Sequence, residues 1–155
     1  MARYKNALRG HFIAEDTDGT FETPPTEWLE LAKWIQTVEA DNNEETEDLA
    51  FYDGDGTPET EVISVAIGNT FTGFYDSSDP AQALVAEKEF ETGSERKIWY
   101  RRVSADGERE WVGKATLSGI VIGGGDASAY ETFECNVRWD RKPEMTPPET
   151  TPPEA

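Results

Sequence analysis

The run 130–139 constrains the fold more than any other stretch of the chain. Phe133, Cys135, Val137 and Trp139 alternate with Thr132, Glu134, Asn136 and Arg138. In an extended chain successive side chains point to opposite faces. Strict alternation of this kind predicts a β-strand with one face in a core and one in water. Other runs follow the same rule. Ile63, Val65 and Ile67 alternate with Val62, Ser64 and Ala66, and the pattern resumes at Phe71 and Tyr75. Trp111, Gly113, Ala115, Leu117, Gly119 and Val121 form one face against Lys114, Thr116 and Ser118. Leu8, Gly10 and Phe12 predict an early strand; residues 98–103 and 34–38 add two more.

Turn residues separate these runs. Asp106-Gly107 predicts a short hairpin between the strands at Ile98 and Trp111. Gly123-Gly124-Gly125 divides Ile122 from the last strand, and Asp53-Gly54-Asp55-Gly56 precedes Ile63. One helix is expected over 80–90. Asp79 is its cap, Pro80 its first residue, and Gly93 its stop. Gln82 stands three residues after the cap. Ala81, Leu84, Val85 and Lys88 would face a sheet. The fold class is mainly β: a β-sandwich or partly closed barrel with one flanking helix. It occupies residues 1–142 and is followed by a Pro-rich tail over 143–155. Five of the nine prolines lie in that tail, which is expected to be extended and mobile.

Charge is distributed unevenly along the 155 residues. The first 14 residues carry +3, residues 15–61 carry −15 and the remainder −6, giving −18 in all. Neutralising nucleic-acid phosphates needs a basic surface, so binding to DNA or RNA is disfavoured, as is adsorption to an anionic membrane. No stretch approaches the about 18 apolar residues of a membrane span. The segment 41–61 has high charge and no apolar period, and reads as a solvated loop. Its acids Asp41, Glu44, Glu45, Glu47, Asp48, Asp53 and Asp55 are candidate contact residues. The local exceptions in sign are Arg96, Lys97, Arg101 and Arg102.

Catalytic constellations are missing. A calcium loop starting at Asp53 would need glycine where Pro58 stands and a carboxylate where Ser64 stands. The triple glycine is followed by neither the Lys-Ser/Thr of a phosphate loop nor a helix signature. A single histidine, His11, and a single cysteine, Cys135, leave no triad or structural zinc site within one chain. Cys135 also excludes an internal disulfide and sits on a core face. No enzymatic activity, cofactor or metal is expected.

The order of these motifs resembles a known family. Phe51-Tyr52-Asp53-Gly54-Asp55-Gly56 is followed by Thr70-Phe71-Thr72-Gly73-Phe74-Tyr75. Asp79-Pro80-Ala81-Gln82 comes next, and Gly123-Gly124-Gly125-Asp126-Ala127-Ser128 leads into Thr132-Phe133-Glu134-Cys135. Over about 34–143 the chain is similar to the major tail proteins, or tail tube proteins, of long-tailed siphovirus-type phages and prophages of Gram-positive bacteria. The resemblance implies a non-enzymatic virion protein that forms homohexameric rings stacked into a tube through which viral DNA passes. It implies tape measure, tail terminator and distal tail proteins as partners, assembly in the host cytoplasm, and inter-ring contacts from the 41–61 segment. It also implies that Arg96, Lys97, Arg101 and Arg102 pair with acids of a neighbouring subunit. The alternative reading is a carbohydrate- or protein-binding β-sandwich module, since five Trp and five Tyr could stack on sugars.

Overall fold

The computed structural model describes residues 3–16, 21–52 and 54–146. Ten strands follow in order: β1 (Gly10–Ala14), β2 (Leu29–Glu30), β3 (Ile35–Ala40), β4 (Asn43–Leu49), β5 (Glu59–Ala66), β6 (Gly68–Phe74), β7 (Lys97–Val103), β8 (Glu110–Ile122), β9 (Thr132–Trp139) and β10 (Glu144–Thr146). One α-helix, α1 (Pro80–Glu87), lies between β6 and β7. Eight strands form a single antiparallel sheet in the order β2-β1-β7-β8-β9-β6-β3, with β10 paired to β8. β4 and β5 form a separate two-stranded sheet. Of the two architectures the sequence suggests, the partly closed barrel is the one observed. The sheet curls until Arg9, His11 and Leu31 near one edge and Ile35 and Val38 near the other line a common cleft.

The interior of the curl is the core. Ile13, Leu31, Phe71, Ile98, Tyr100, Leu117, Phe133, Cys135, Val137 and Val85 are fully or almost fully buried. Each large apolar side chain taken out of water contributes roughly 1.5–3 kcal/mol, so this cluster dominates stability. The predicted face of β9 is therefore observed as expected. Burial pushes the Cys135 thiol far above its ordinary pKa, so it is an inert core group. α1 closes one side. The Asp79 carboxylate accepts from the Gln82 backbone N–H at 3.3 Å, and Ala81, Gln82, Leu84 and Val85 face inward. The helix ends at Glu87, short of the expected residue 90, and an ion pair of 2.7 Å between Lys88 and Glu15 ties its C-terminal end to the chain after β1.

Several sequence expectations change phase. In β1 the buried residues are His11, Ile13 and Ala14, not Gly10 and Phe12. Leu8 lies in a 3-10 turn, 60% exposed. A histidine on the inner face breaks the apolar period that sequence reading relies on. In β8 the register shifts between Ser118 and Val121, where Gly119 takes φ +57°. That left-handed conformation suits glycine and makes a bulge. Beyond it the faces exchange, so Ile120 and Ile122 pack on the core and Val121 is 43% exposed. Residues 144–146, expected in the tail, are instead in a strand. Glu144, Met145 and Thr146 pair with Val112, Trp111 and Glu110 of β8, so the sheet continues past residue 142. The rest of the predicted tail, 147–155, lies outside the described residues.

Candidate functional site

The segment 41–61, expected as a loop, is instead mostly a hairpin arm. β4 and β5 pair from Asn43↔Ala66 to Leu49↔Glu59, with a bulge between Glu45 and Thr46. The arm continues the β3–β6 pair, which ends at Ala40↔Asn69. Its root is fixed by the Asp41 N–H donating to the Gly68 carbonyl at 2.9 Å and by the Arg138–Asp41 ion pair at 2.8 Å. Asp41 is thus a structural anchor. Glu44, Glu45, Glu47 and Asp48 are exposed along β4. Asp55 turns the tip by accepting from the Thr57 N–H at 2.9 Å, while Asp53 lies outside the described residues.

The arm mixes exposed apolar and acidic side chains, and Phe51 and Tyr52 are exposed at its tip. Near its root Val62, Ile63 and Val65 are 55%, 58% and 52% exposed. Toward the tip Glu47 stands directly opposite Glu61, a like-charge pair that opposes pairing. A lone two-stranded hairpin is at best marginally stable in water. The apolar face that the alternation of Ile63 and Val65 requires to be covered has no cover of that kind within the described chain.

The basic cluster is partnered internally. The Arg96 guanidinium donates to the carbonyls of Glu89 and Glu91, both at 2.7 Å. Lys97 bridges Asp140 at 2.8 Å and Thr116 at 2.6 Å. Arg101 pairs with Glu110 at 2.8 Å and stacks on Phe12. Arg102 lies between Trp111 and Trp139, 4.7 and 4.9 Å from their ring centres, and burial lowers its pKa. Each of the four residues expected to contact a neighbouring subunit thus already has partners within the chain. They brace β7 against its neighbours.

A second surface was not legible in the sequence. Trp34, Ile35, Phe74, Tyr75 and Tyr130 line an aromatic notch where β3, β6 and the chain before β9 meet. Trp34 is 55% and Tyr130 81% exposed. Trp34 has φ +64°, a conformation costly for an aromatic residue. A dense network holds it there. Its indole N–H donates to Asp76 at 2.9 Å, and the Phe74 N–H donates to its carbonyl at 3.0 Å. The fully buried Gln82 amide donates to the Lys33 and Phe74 carbonyls, each at 3.0 Å, and accepts from the Asp76 N–H at 2.6 Å. Gly73 is required here, because a side chain at that position would collide with the Trp34 carbonyl. Hydrogen bonds from Ser78 and then Trp34 hold the Asp76 carboxyl well below the usual range.

Among the described residues no group of three or more His, Cys, Asp or Glu is placed to hold a metal ion. No helix among them is long and apolar enough to cross a membrane. No protein-family model matches the sequence, and no curated protein is similar to it. Solved structures are similar in fold. A chain of the tail of an empty gene transfer agent particle, refined helically with C6 symmetry, superposes with a TM-score of 0.66 at 15% identity, over 94% of this chain and 99% of that one. A chain of the native gene transfer agent virion gives 0.61 at 12% identity, over 86% and 99%. The SPP1 tail tube gives 0.63 at 15% identity, over 97% and 83%. The fold is thus a tail-tube-like one: mainly β, a curled sheet with one helix.

Proposed function

We propose that this chain is the structural subunit of a phage-type tail tube. Six copies close into a ring, rings stack, and viral DNA passes through the bore. The carrying observation is the arm β4–β5, which projects from a tail-tube-like body with Val62, Ile63 and Val65 more than half exposed on one strand and Glu44, Glu45, Glu47 and Asp48 exposed on the other. Monomeric proteins cover such faces, and burial of the remaining area of these side chains is worth about 1 kcal/mol each, repeated at every contact between stacked rings. The arm of one copy therefore seats on the next. The net charge of −18 supports a conduit role, because acidic walls repel phosphates and leave DNA mobile. The subunit belongs to the virion tail of a siphovirus of Gram-positive bacteria and is assembled in the host cytoplasm. Tape measure, terminator and distal tail proteins contact it, and it catalyses no reaction.

Negative-stain microscopy of the concentrated protein tests this. Rings or tubes of sixfold symmetry are expected. The double variant Ile63→Ser/Val65→Ser should keep its unfolding midpoint, since both residues are exposed, and lose assembly. Only monomers in the wild type, or tubes unaffected by the double variant, would refute the reading.

A further inference from the structure

The aromatic notch has features of a binding site rather than of a core. Trp34 and Tyr130 project into water, yet the strained Trp34 backbone is held by the buried Gln82 and by Asp76. A rigid, exposed aromatic surface that keeps its backbone strain is pre-organised for a flat or extended ligand. Lys33 flanks it, 6.0 Å from the Trp34 ring; its ammonium pairs with Asp76 at 3.2 Å, and its side chain is 55% exposed. It is the one base between residues 15 and 61.

The same sequence contains a ligand of fitting chemistry. Pro147-Pro148-Glu149-Thr150-Thr151-Pro152-Pro153 carries two proline pairs and a carboxylate between them. Proline pairs favour the polyproline II helix, whose ridged apolar surface docks in aromatic-lined grooves at low entropic cost. Glu149 would add a second carboxylate at the exposed side of Lys33, which already pairs with Asp76. We infer that the notch formed by Trp34, Phe74, Tyr75 and Tyr130 seats the Pro-rich segment 147–153 of a second copy of the chain.

The register decides between the chain's own segment and another copy's. The notch lies at the level of Phe74↔Thr132, beside Ile122↔Phe133 of β8. β10 leaves the sheet at Thr146↔Glu110, the opposite end of the 13-residue β8, and runs away from the notch. Twelve residues of strand span about 40 Å. From Thr146 to Pro153 a polyproline segment reaches about 22 Å. The segment cannot reach its own notch, so the docking is in trans. The inference takes its partner, a second copy, from the self-assembly reading.

The test uses the full chain, dilute enough to be monomeric, titrated with a synthetic peptide of residues 146–155. The indole N–H signal of Trp34 is followed by NMR. A saturable shift is expected. Tyr130→Ala should weaken it at least tenfold, Lys33→Glu should weaken it too, and a peptide with its four prolines replaced by alanine should give none. Absence of a shift, a shift of equal strength with the alanine peptide, or no effect of Tyr130→Ala would overturn the inference. So would a shift produced by a soluble oligosaccharide such as chitohexaose but not by the peptide. Peptide failure with intact tubes under the microscope refutes only this docking. Peptide binding without rings or tubes refutes only the tube reading.

Discussion

Replacing Gln82 by Met isolates the network that fixes the notch. Methionine has nearly the volume of glutamine, so the space in the core stays filled. The substitution removes the partner of three backbone groups: the Asp76 N–H and the Lys33 and Phe74 carbonyls. The backbone cap from Asp79 to the N–H of residue 82 remains. Leaving a buried polar group unpaired costs about 1–3 kcal/mol. These three bonds are only partly buried, so the lower end applies and the sum is about 3 kcal/mol. For a chain of this size that lowers Tm by roughly 6–12 °C. Urea unfolding followed by tryptophan fluorescence gives the free energy, and the Trp34 indole signal should move as Asp76 loosens. A loss below about 1 kcal/mol, with the Trp34 signal unmoved, would show that the network does not hold the strained residue.

His11 gives a pH signature. Burial first, then Arg9 and Arg102, lowers its pKa from 6.5 to about 4. The unfolded chain binds its proton below pH 6.5 and the folded chain does not, so stability falls from pH 6.5 to about 4 by about 3 kcal/mol from this group. Urea midpoints of His11→Phe should lack that component, and a wild-type-like slope would contradict the assignment. Gly73→Ala should unfold the junction of β3 and β6 at a cost of several kcal/mol, because the added methyl meets the Trp34 carbonyl; calorimetry showing an unchanged Tm would contradict the close approach.

Legibility in the sequence followed the source of each signal. β9, the Asp79 cap and the turn between β7 and β8 were readable because alternation, capping and turn chemistry are local. The faces of β1 and β8 were misread because each depends on one residue that a hydrophobicity count ignores: His11 turned inward, and Gly119 in a bulge. Alternation at Ile63 and Val65 correctly marked a strand, but the face it was expected to bury is more than half exposed in the described chain. Alternation carries no information on whether the cover belongs to the same chain. The acids of 41–61 suggested a loop because charge was counted without pairing register. Arg96, Lys97, Arg101 and Arg102 found partners far along the sequence, which spacing cannot reveal. The notch was invisible because it joins residues of β3, β6 and the approach to β9 through the buried side chain of Gln82.

The root of the arm has a consequence for growth. Asp41, Gly68 and Arg138 fix the direction in which β4 and β5 leave the body. In the proposed assembly, the projecting arm of one copy meets a different surface on the next. Such a head-to-tail contact closes within a ring of fixed number, but along a stack it is never used up. Each completed layer presents the same free surface as the one before it. In that proposed assembly the subunit would set the diameter of its polymer and leave its length unspecified, so a different molecule would have to gauge and cap elongation.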